Sequence, residues 1–207
     1  MVQLLAADGA VALPDAGRSG AVILARHGEP DLSRKILLSA EGYRHWWDTY
    51  ETRGLKPGQA APDDLRVVAG RAGAIIASTR PRAMETALAV CGDRAFARDP
   101  MFVEAPLPPP PFPAWMRLSP RVWGFISRFW WWFFDNHAGG ESRAQAEARA
   151  AEAARLVADL ARDGEDVLVL AHGFFNTMVG EALKRDGWRC TEDQGFRYWR
   201  ARRFERI

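Results

Sequence analysis

Two short apolar runs, each stopped by the same pair of residues, constrain this chain more than anything else in it. The first is Ala21-Val22-Ile23-Leu24-Ala25, closed by Arg26-His27-Gly28; the second is Leu168-Val169-Leu170-Ala171, closed by His172-Gly173. Each run suits a buried strand. An arginine and a histidine cannot sit in a dry core unless partners offset their desolvation. The carboxyl end of a strand, where α/β sheets open into a crevice, is a common place for such a pair. Glycine after them lets the backbone turn sharply or approach a ligand closely. A single pair of this kind is equally well explained by a structural, salt-bridged histidine. Two in one chain point to a shared site.

Between and around these runs the chain alternates strand and helix signals. Residues 2–13 alternate weakly around Asp8-Gly9, as a small hairpin or edge addition would. Ser39 is placed to cap a helix from Ala40 to Glu51, whose Tyr43, Trp46, Trp47 and Tyr50 fall at spacings of three and four, the pattern of a buried stripe. After a loop rich in glycine and proline, Ala74-Ile75-Ile76-Ala77-Ser78 reads as a second core strand. The following helix runs to about Val90 and carries Arg82 in its first turn, where free N–H groups favour anions and a guanidinium can grip phosphate bidentately. Met101-Phe102-Val103-Glu104 reads as a third strand ending on a carboxylate. Ala105 to Pro113, with six prolines, is stiff and extended, a rigid lip near the site.

Residues 119–137 are the most unusual segment. Trp123, Ile126, Trp130, Phe133 and His137 form one helical stripe, and Phe125, Phe129, Trp132 and Phe134 make the rest apolar too, so the helix is expected to be buried on more than one side. Three readings stand together: packing on the core and over the cleft, a dimer face, or attachment to a membrane surface. Ser142 with Gln145 forms a capping box opening an Ala-rich helix to about Arg162, and Asp166 to Ala171 is the next strand. Phe174 to Lys184 is helical in pattern, and Phe196 to Phe204 alternates as a final strand.

Four of these segments, in order, resemble the motifs of the histidine phosphatase superfamily, the phosphoglycerate mutase-like family. Arg26-His27-Gly28 resembles its signature. Arg82-Ala83 with Thr86-Ala87 resembles its second motif, which assigns the second phosphate-binding arginine to Arg82 rather than to Arg80. Gly140-Glu141-Ser142 and Ala171-His172-Gly173 resemble the later ones. The resemblance covers roughly residues 20–200. It implies an α/β three-layer sandwich, a mostly parallel central sheet with helices on both faces. The chain is then a single domain over 1–207, with an N-terminal extension over 1–20 and a lid or interface over 105–137.

The same resemblance implies metal-independent hydrolysis of phosphomonoesters through a covalent phosphohistidine. His27 is then the nucleophile; Arg26, Arg82 and His172 surround the phosphoryl oxygens, with Ser33 and Gly173 as further phosphate contacts; Glu104 donates the leaving-group proton. The family often carries Thr or Ser two residues after the signature glycine and Asn five after; here Pro30 and Ser33 stand there. It also often follows its carboxylate with Gly-x-Trp-Glu-Gly, where this chain has Ala105-Pro106-Leu107-Pro108. A phosphomutase of the same chemistry and a non-catalytic phosphate-binding or interaction protein are the alternatives.

Composition narrows the partners. The 207 residues, 48% apolar and 26% charged, are those of an ordinary globular chain, and 28 basic against 26 acidic residues leave +2. No basic tract of nucleic-acid-binding character is present, Cys91 and Cys190 make no metal cluster, and no cofactor is implied. The first residues lack the pattern of a signal peptide and no apolar span reaches membrane length, so the expected location is cytoplasmic. The expected partner is a phosphorylated small molecule or phosphoprotein, with a homodimer through 119–137 as a further expectation. The aromatic and proline segments hint at a hydrophobic portion in the substrate.

Overall fold

The structure, a computed structural model, describes residues 19–206; the expected hairpin over 2–13 lies outside them. Strand β1 (Val22–Arg26) and strand β4 (Val167–Ala171) are the two apolar runs, and they pair in parallel with Val22 opposite Val167 and Arg26 opposite Ala171. Strand β2 (Ala74–Ala77) lies on the other side of β4, also parallel, and the two-residue β3 (Ala97–Arg98) extends that edge. Strands β5 (Trp188–Asp193) and β6 (Ala201–Arg206) close the opposite edge antiparallel, giving the order β3-β2-β4-β1-β6-β5.

Side-chain alternation divides the core between the two faces of this sheet. On one face Val22, Leu24, Ile76, Val167, Val169 and Ala171 pack with α5 (Arg143–Leu160) and α6 (Gly173–Arg185). On the other, Ile23, Ala25, Ile75, Leu168 and Leu170 pack with α2 (Asp63–Arg71) and α3 (Pro81–Cys91). The result is the expected α/β sandwich, a mostly parallel sheet between helices. Continuously apolar runs such as Val167–Ala171 are what a strand covered on both faces requires. The capping box is present too: Gln145 N donates to Ser142 Oγ, and Ser142 N to Gln145 Oε1.

A third cluster forms beyond the sheet, where α1 (Ala40–Thr52) meets α4 (Pro120–Phe134). Tyr43, Trp46 and Tyr50 are buried and stack in series, Tyr43 also against Trp123. Helix α4 corrects the expected stripe. Its buried residues are Pro120, Trp123, Gly124, Ser127 and Trp131, whereas Phe133 and Phe134 are exposed, as are Phe125 and Phe129. The small Gly124 and Ser127 let this side approach α1, and the two buried indoles satisfy their N–H groups on Leu38 and Glu141 carbonyls. The helix is therefore covered on one side only.

Two further expectations change. Residues 101–104 are not a strand: Asp99 accepts from Met101 N, and Pro100–Phe102 form a single 3-10 turn that leaves Glu104 on the loop beyond it. The proline segment is anchored along its length, with Ala105 and Leu107 buried in the core and Pro108 accepting a hydrogen bond from Asn136. The final strand starts at Ala201 rather than Phe196. Residues ahead of it turn back through Trp199, in the left-handed region at φ 64°, whose N–H meets the Arg26 carbonyl.

Candidate active site

The register of the sheet builds the site. Because Arg26 pairs with Ala171, the two histidines leave the sheet side by side, with His27 N donating to Ala171 O and their rings 5.1 Å apart. Ser78, one step past β2, takes the next place across the strand ends, and its Oγ lies 2.8 Å from His172 Nε2. Helix α3 starts directly after and carries Arg82, fully buried, into the same space.

Hydrogen bonding settles the tautomers. His27 Nδ1 lies 2.7 Å from the Gly28 carbonyl, which can only accept, so Nδ1 carries the proton and Nε2 keeps its lone pair. An Arg82 terminal nitrogen lies 3.3 Å from His172 Nδ1; a guanidinium can only donate, so Nδ1 accepts and Nε2–H is turned to Ser78. Burial, followed by the positive charge of Arg82, holds both imidazoles well below their ordinary pKa. Both rings are neutral at neutral pH.

Arg82 is clamped from several sides. One terminal nitrogen donates to the Tyr50 carbonyl at 2.9 Å, the other to Glu51 at 2.8 Å, and the guanidinium lies 4.2 Å from the Tyr50 ring centroid. Glu51 also pairs with Arg80 at 2.6 Å, so Arg80 stands at the rim as a salt-bridged neighbour. Thr86 Oγ1 accepts from Gly28 N and donates to the Arg82 carbonyl, tying α3 to the turn after β1. Gly28 itself has no room for a Cβ, which would run into the Trp199 indole. Its need for glycine is a packing need within the fold.

Arg26 reaches past Gly173, where a Cβ would come within 3.2 Å of the arginine's Cδ and Nε. It donates to the Phe196 carbonyl at 2.6 Å and stacks over Tyr198, whose ring is 5.6 Å from that of His27. Three buried polar atoms around His27 have no partner: Arg26 Nε, Arg82 Nε and the Tyr198 hydroxyl. An unpaired buried donor costs about 1–3 kcal/mol, so such a cluster fits a site that is completed by an incoming acceptor.

The expected residues are not all brought together. His27, Arg26, Arg82, His172 and Gly173 converge. Ser33 is exposed on the loop after β1, its Oγ accepting from Lys35 N, and lines an adjoining cavity. Glu104 sits at the start of α6, accepting from Phe175 N at 2.8 Å and Phe174 N at 3.3 Å. Tyr50, Glu51, Ser78, Thr86 and Tyr198 join the expected residues here. Tyr50 belongs to the aromatic stripe of α1 and gives no separate signal there, although its hydroxyl is 3.5 Å from His27 Nε2. Tyr198 lies 171 positions after His27, beyond the reach of any local pattern.

A neutral histidine with its Nε2 lone pair turned into the site, beside a half-buried arginine from the same strand end and a buried one from the next helix, is the arrangement that phosphoryl transfer on an α/β sheet calls for. The chain belongs to the histidine phosphatase superfamily, branch 1, whose sequence model matches residues 22–191. The chemistry of that family is metal-independent phosphate-ester hydrolysis through a phosphohistidine. No curated protein matches the chain. Among solved structures it is similar to a mycobacterial glucosyl-3-phosphoglycerate phosphatase, at 22% identity over 81% of each chain and a TM-score of 0.54. It is also similar to YhfR of Bacillus stearothermophilus, at 23% identity over 81% of each chain and a TM-score of 0.51. A structure described as mycobacterial hydrolase 1 shares 19% identity over 81% of this chain and 79% of its own, with a TM-score of 0.53. These likenesses concern the fold.

Proposed function

We propose that this chain is a phosphomonoesterase in which His27 is the nucleophile. The observation that carries the reading is the His27 ring: neutral, buried, and held with Nδ1–H on the Gly28 carbonyl so that Nε2 can attack. In the first half-reaction an Nε2–P bond forms as the ester P–O bond breaks, and the departing alkoxide takes a proton from Glu104. In the second, Glu104 takes a proton from water as the water oxygen attacks phosphorus. The Nε2–P bond then breaks, releasing inorganic phosphate and neutral His27.

Arg26 and Arg82 hold the phosphoryl oxygens, using donors that include their unpaired Nε–H groups. His172 presents its Nδ1 edge to the Arg82 fork. An arriving phosphate dianion favours its protonated form and with it a donated hydrogen bond. Gly173 opens α6 and adds its own backbone N–H, the next two being held by Glu104, and Ser33 supplies a hydroxyl at the entrance. Of the two Glu104 oxygens, Oε2, on the longer contact, has room to carry the proton.

The substrate is a phosphorylated small molecule or phosphoprotein. The sheet gathers strands from residues 22 to 206, which supports one catalytic domain. Among the described residues no helix is long and apolar enough to cross a membrane, and both cysteines are free, in keeping with a cytoplasmic location. A second copy of the chain is the partner we assign to α4. Phe125, Phe129, Phe133 and Phe134 are 69%, 42%, 66% and 65% exposed. Together they offer on the order of 500 Å² of apolar surface, much of the roughly 800 Å² per partner that a stable interface uses.

The test is phosphate release from p-nitrophenyl phosphate in the presence of EDTA. Wild type is expected to turn over and His27→Ala to lose essentially all activity while staying folded by circular dichroism. Near-wild-type activity in His27→Ala would refute the covalent mechanism.

A further inference from the structure

Next to the catalytic centre lies a cavity of about 330 Å³, walled by the loop after β1, Lys56, Arg121 in the first turn of α4, and Tyr198. Its charged lining is Arg34, Lys35, Lys56 and Arg121 against Glu29 and Asp31, two cations in excess. None of the six forms an ion pair with a described residue, whereas other arginines, such as Arg149 with Glu141 and Arg203 with Asp166, are paired. Cations in excess around a concave space raise the local concentration of anions.

Tyr198 and Arg34 connect this cavity to His27. The Tyr198 ring lies 5.6 Å from the His27 ring and its buried hydroxyl has no partner. Burial raises that phenol, which keeps it a donor. The Arg34 guanidinium is 5.5 Å from the Tyr198 ring and donates to Tyr50 Oη at 3.2 Å, the same hydroxyl that faces His27 Nε2. One molecule can therefore reach from His27 into the cations. The wall it meets there is charged, not the apolar one that the aromatic segments hint at.

We propose that the substrate carries a second anionic group, a phosphate or a carboxylate a few atoms from the scissile ester. Arg34, Lys35, Lys56 and Arg121 receive this group, and the Tyr198 hydroxyl contacts the linker between the two ends. The inference rests on the phosphatase reading for which end of the substrate reacts. Lys56 and Arg121 select among esters without touching the reacting phosphorus.

The test uses three matched esters: n-propyl phosphate, its analogue ending in a carboxylate, and its analogue ending in a second phosphate. Their affinities are measured calorimetrically on His27→Ala, and kcat/KM on the wild type. At least one of the two anion-tailed esters is expected to bind about ten-fold tighter than n-propyl phosphate, the scale of a charge pair near a protein surface, and to lose that advantage between about 0.05 and 0.5 M salt. The better of the two identifies the tail as carboxylate or phosphate. Adding Lys56→Gln and Arg121→Gln should remove the advantage and leave n-propyl phosphate binding unchanged. Equal affinities for all three esters, or an advantage that survives the double substitution, would overturn the assignment. Wild type that hydrolyses none of them while the binding advantage persists would refute the phosphatase reading alone.

Discussion

Glu104 is the residue whose place least resembles its expected one. A strand was expected to deliver it; instead it follows a 3-10 turn and ties down the first two free N–H groups it meets in α6. Those bonds fix the carboxylate two and three residues past His172, which positions it without exposing it. Glu104→Gln keeps the acceptor but cannot supply a proton. The variant should lose about a hundred-fold in kcat for an alkyl phosphate, whose leaving group needs protonation, and only a few-fold for p-nitrophenyl phosphate. Equal losses on both would make Glu104 a cap for α6 and nothing more. His27, Arg26, Arg82 and His172 could be read from the sequence because each follows an apolar strand or opens a helix. Tyr50, Glu51 and Tyr198 could not. Their roles come from crossings between α1, α3 and the turn before β6, and those crossings exist only in three dimensions.

At the scale of elements, strands β1, β2 and β4 were legible from their apolar runs, and α4 was legible as a helix but not in its orientation. When about half the positions are aromatic and they fall on every side of the helix, period alone cannot choose a face. The choice falls to Gly124 and Ser127, which allow close approach where large side chains would not. The opposite side is left bearing four phenylalanines. Replacing Phe129 and Phe133 by serine should convert a dimer into a monomer in sedimentation velocity at micromolar concentration, with catalysis of p-nitrophenyl phosphate retained. A wild type already monomeric there would exclude self-association. Binding of that monomer to anionic vesicles would instead give the face to lipid, with Arg121 and Arg128 alongside.

For the molecule as a whole, two neutral histidines at the centre of the sheet make stability depend on pH. Unfolding returns each ring to an ordinary imidazole of pKa about 6.5. Below that value the unfolded chain holds protons that the folded chain has refused, so stability is full above it and declines as pH falls. The decline is bounded at about 1.4 kcal/mol per pH unit for each ring. Urea midpoints should fall from pH 7.5 to 5.5 in wild type, and less steeply in His172→Asn. A flat profile would mean that the rings take up protons as readily in the folded protein as in the unfolded chain. The same depression keeps His27 unprotonated in mild acid, so the acid limb of kcat/KM should lie below the ordinary imidazole range.

The strand order carries a consequence for how this protein comes into being. β4 lies between β1 and β2, yet it emerges from the ribosome about ninety residues after the latter and about one hundred and forty after the former. Until it arrives, the two earlier strands have no neighbour to share, and the second histidine does not exist. A nascent chain therefore holds exposed apolar strands for most of its synthesis, and its two strand-end histidines meet only when β4 inserts, with β5 and β6 still to close the far edge of the sheet.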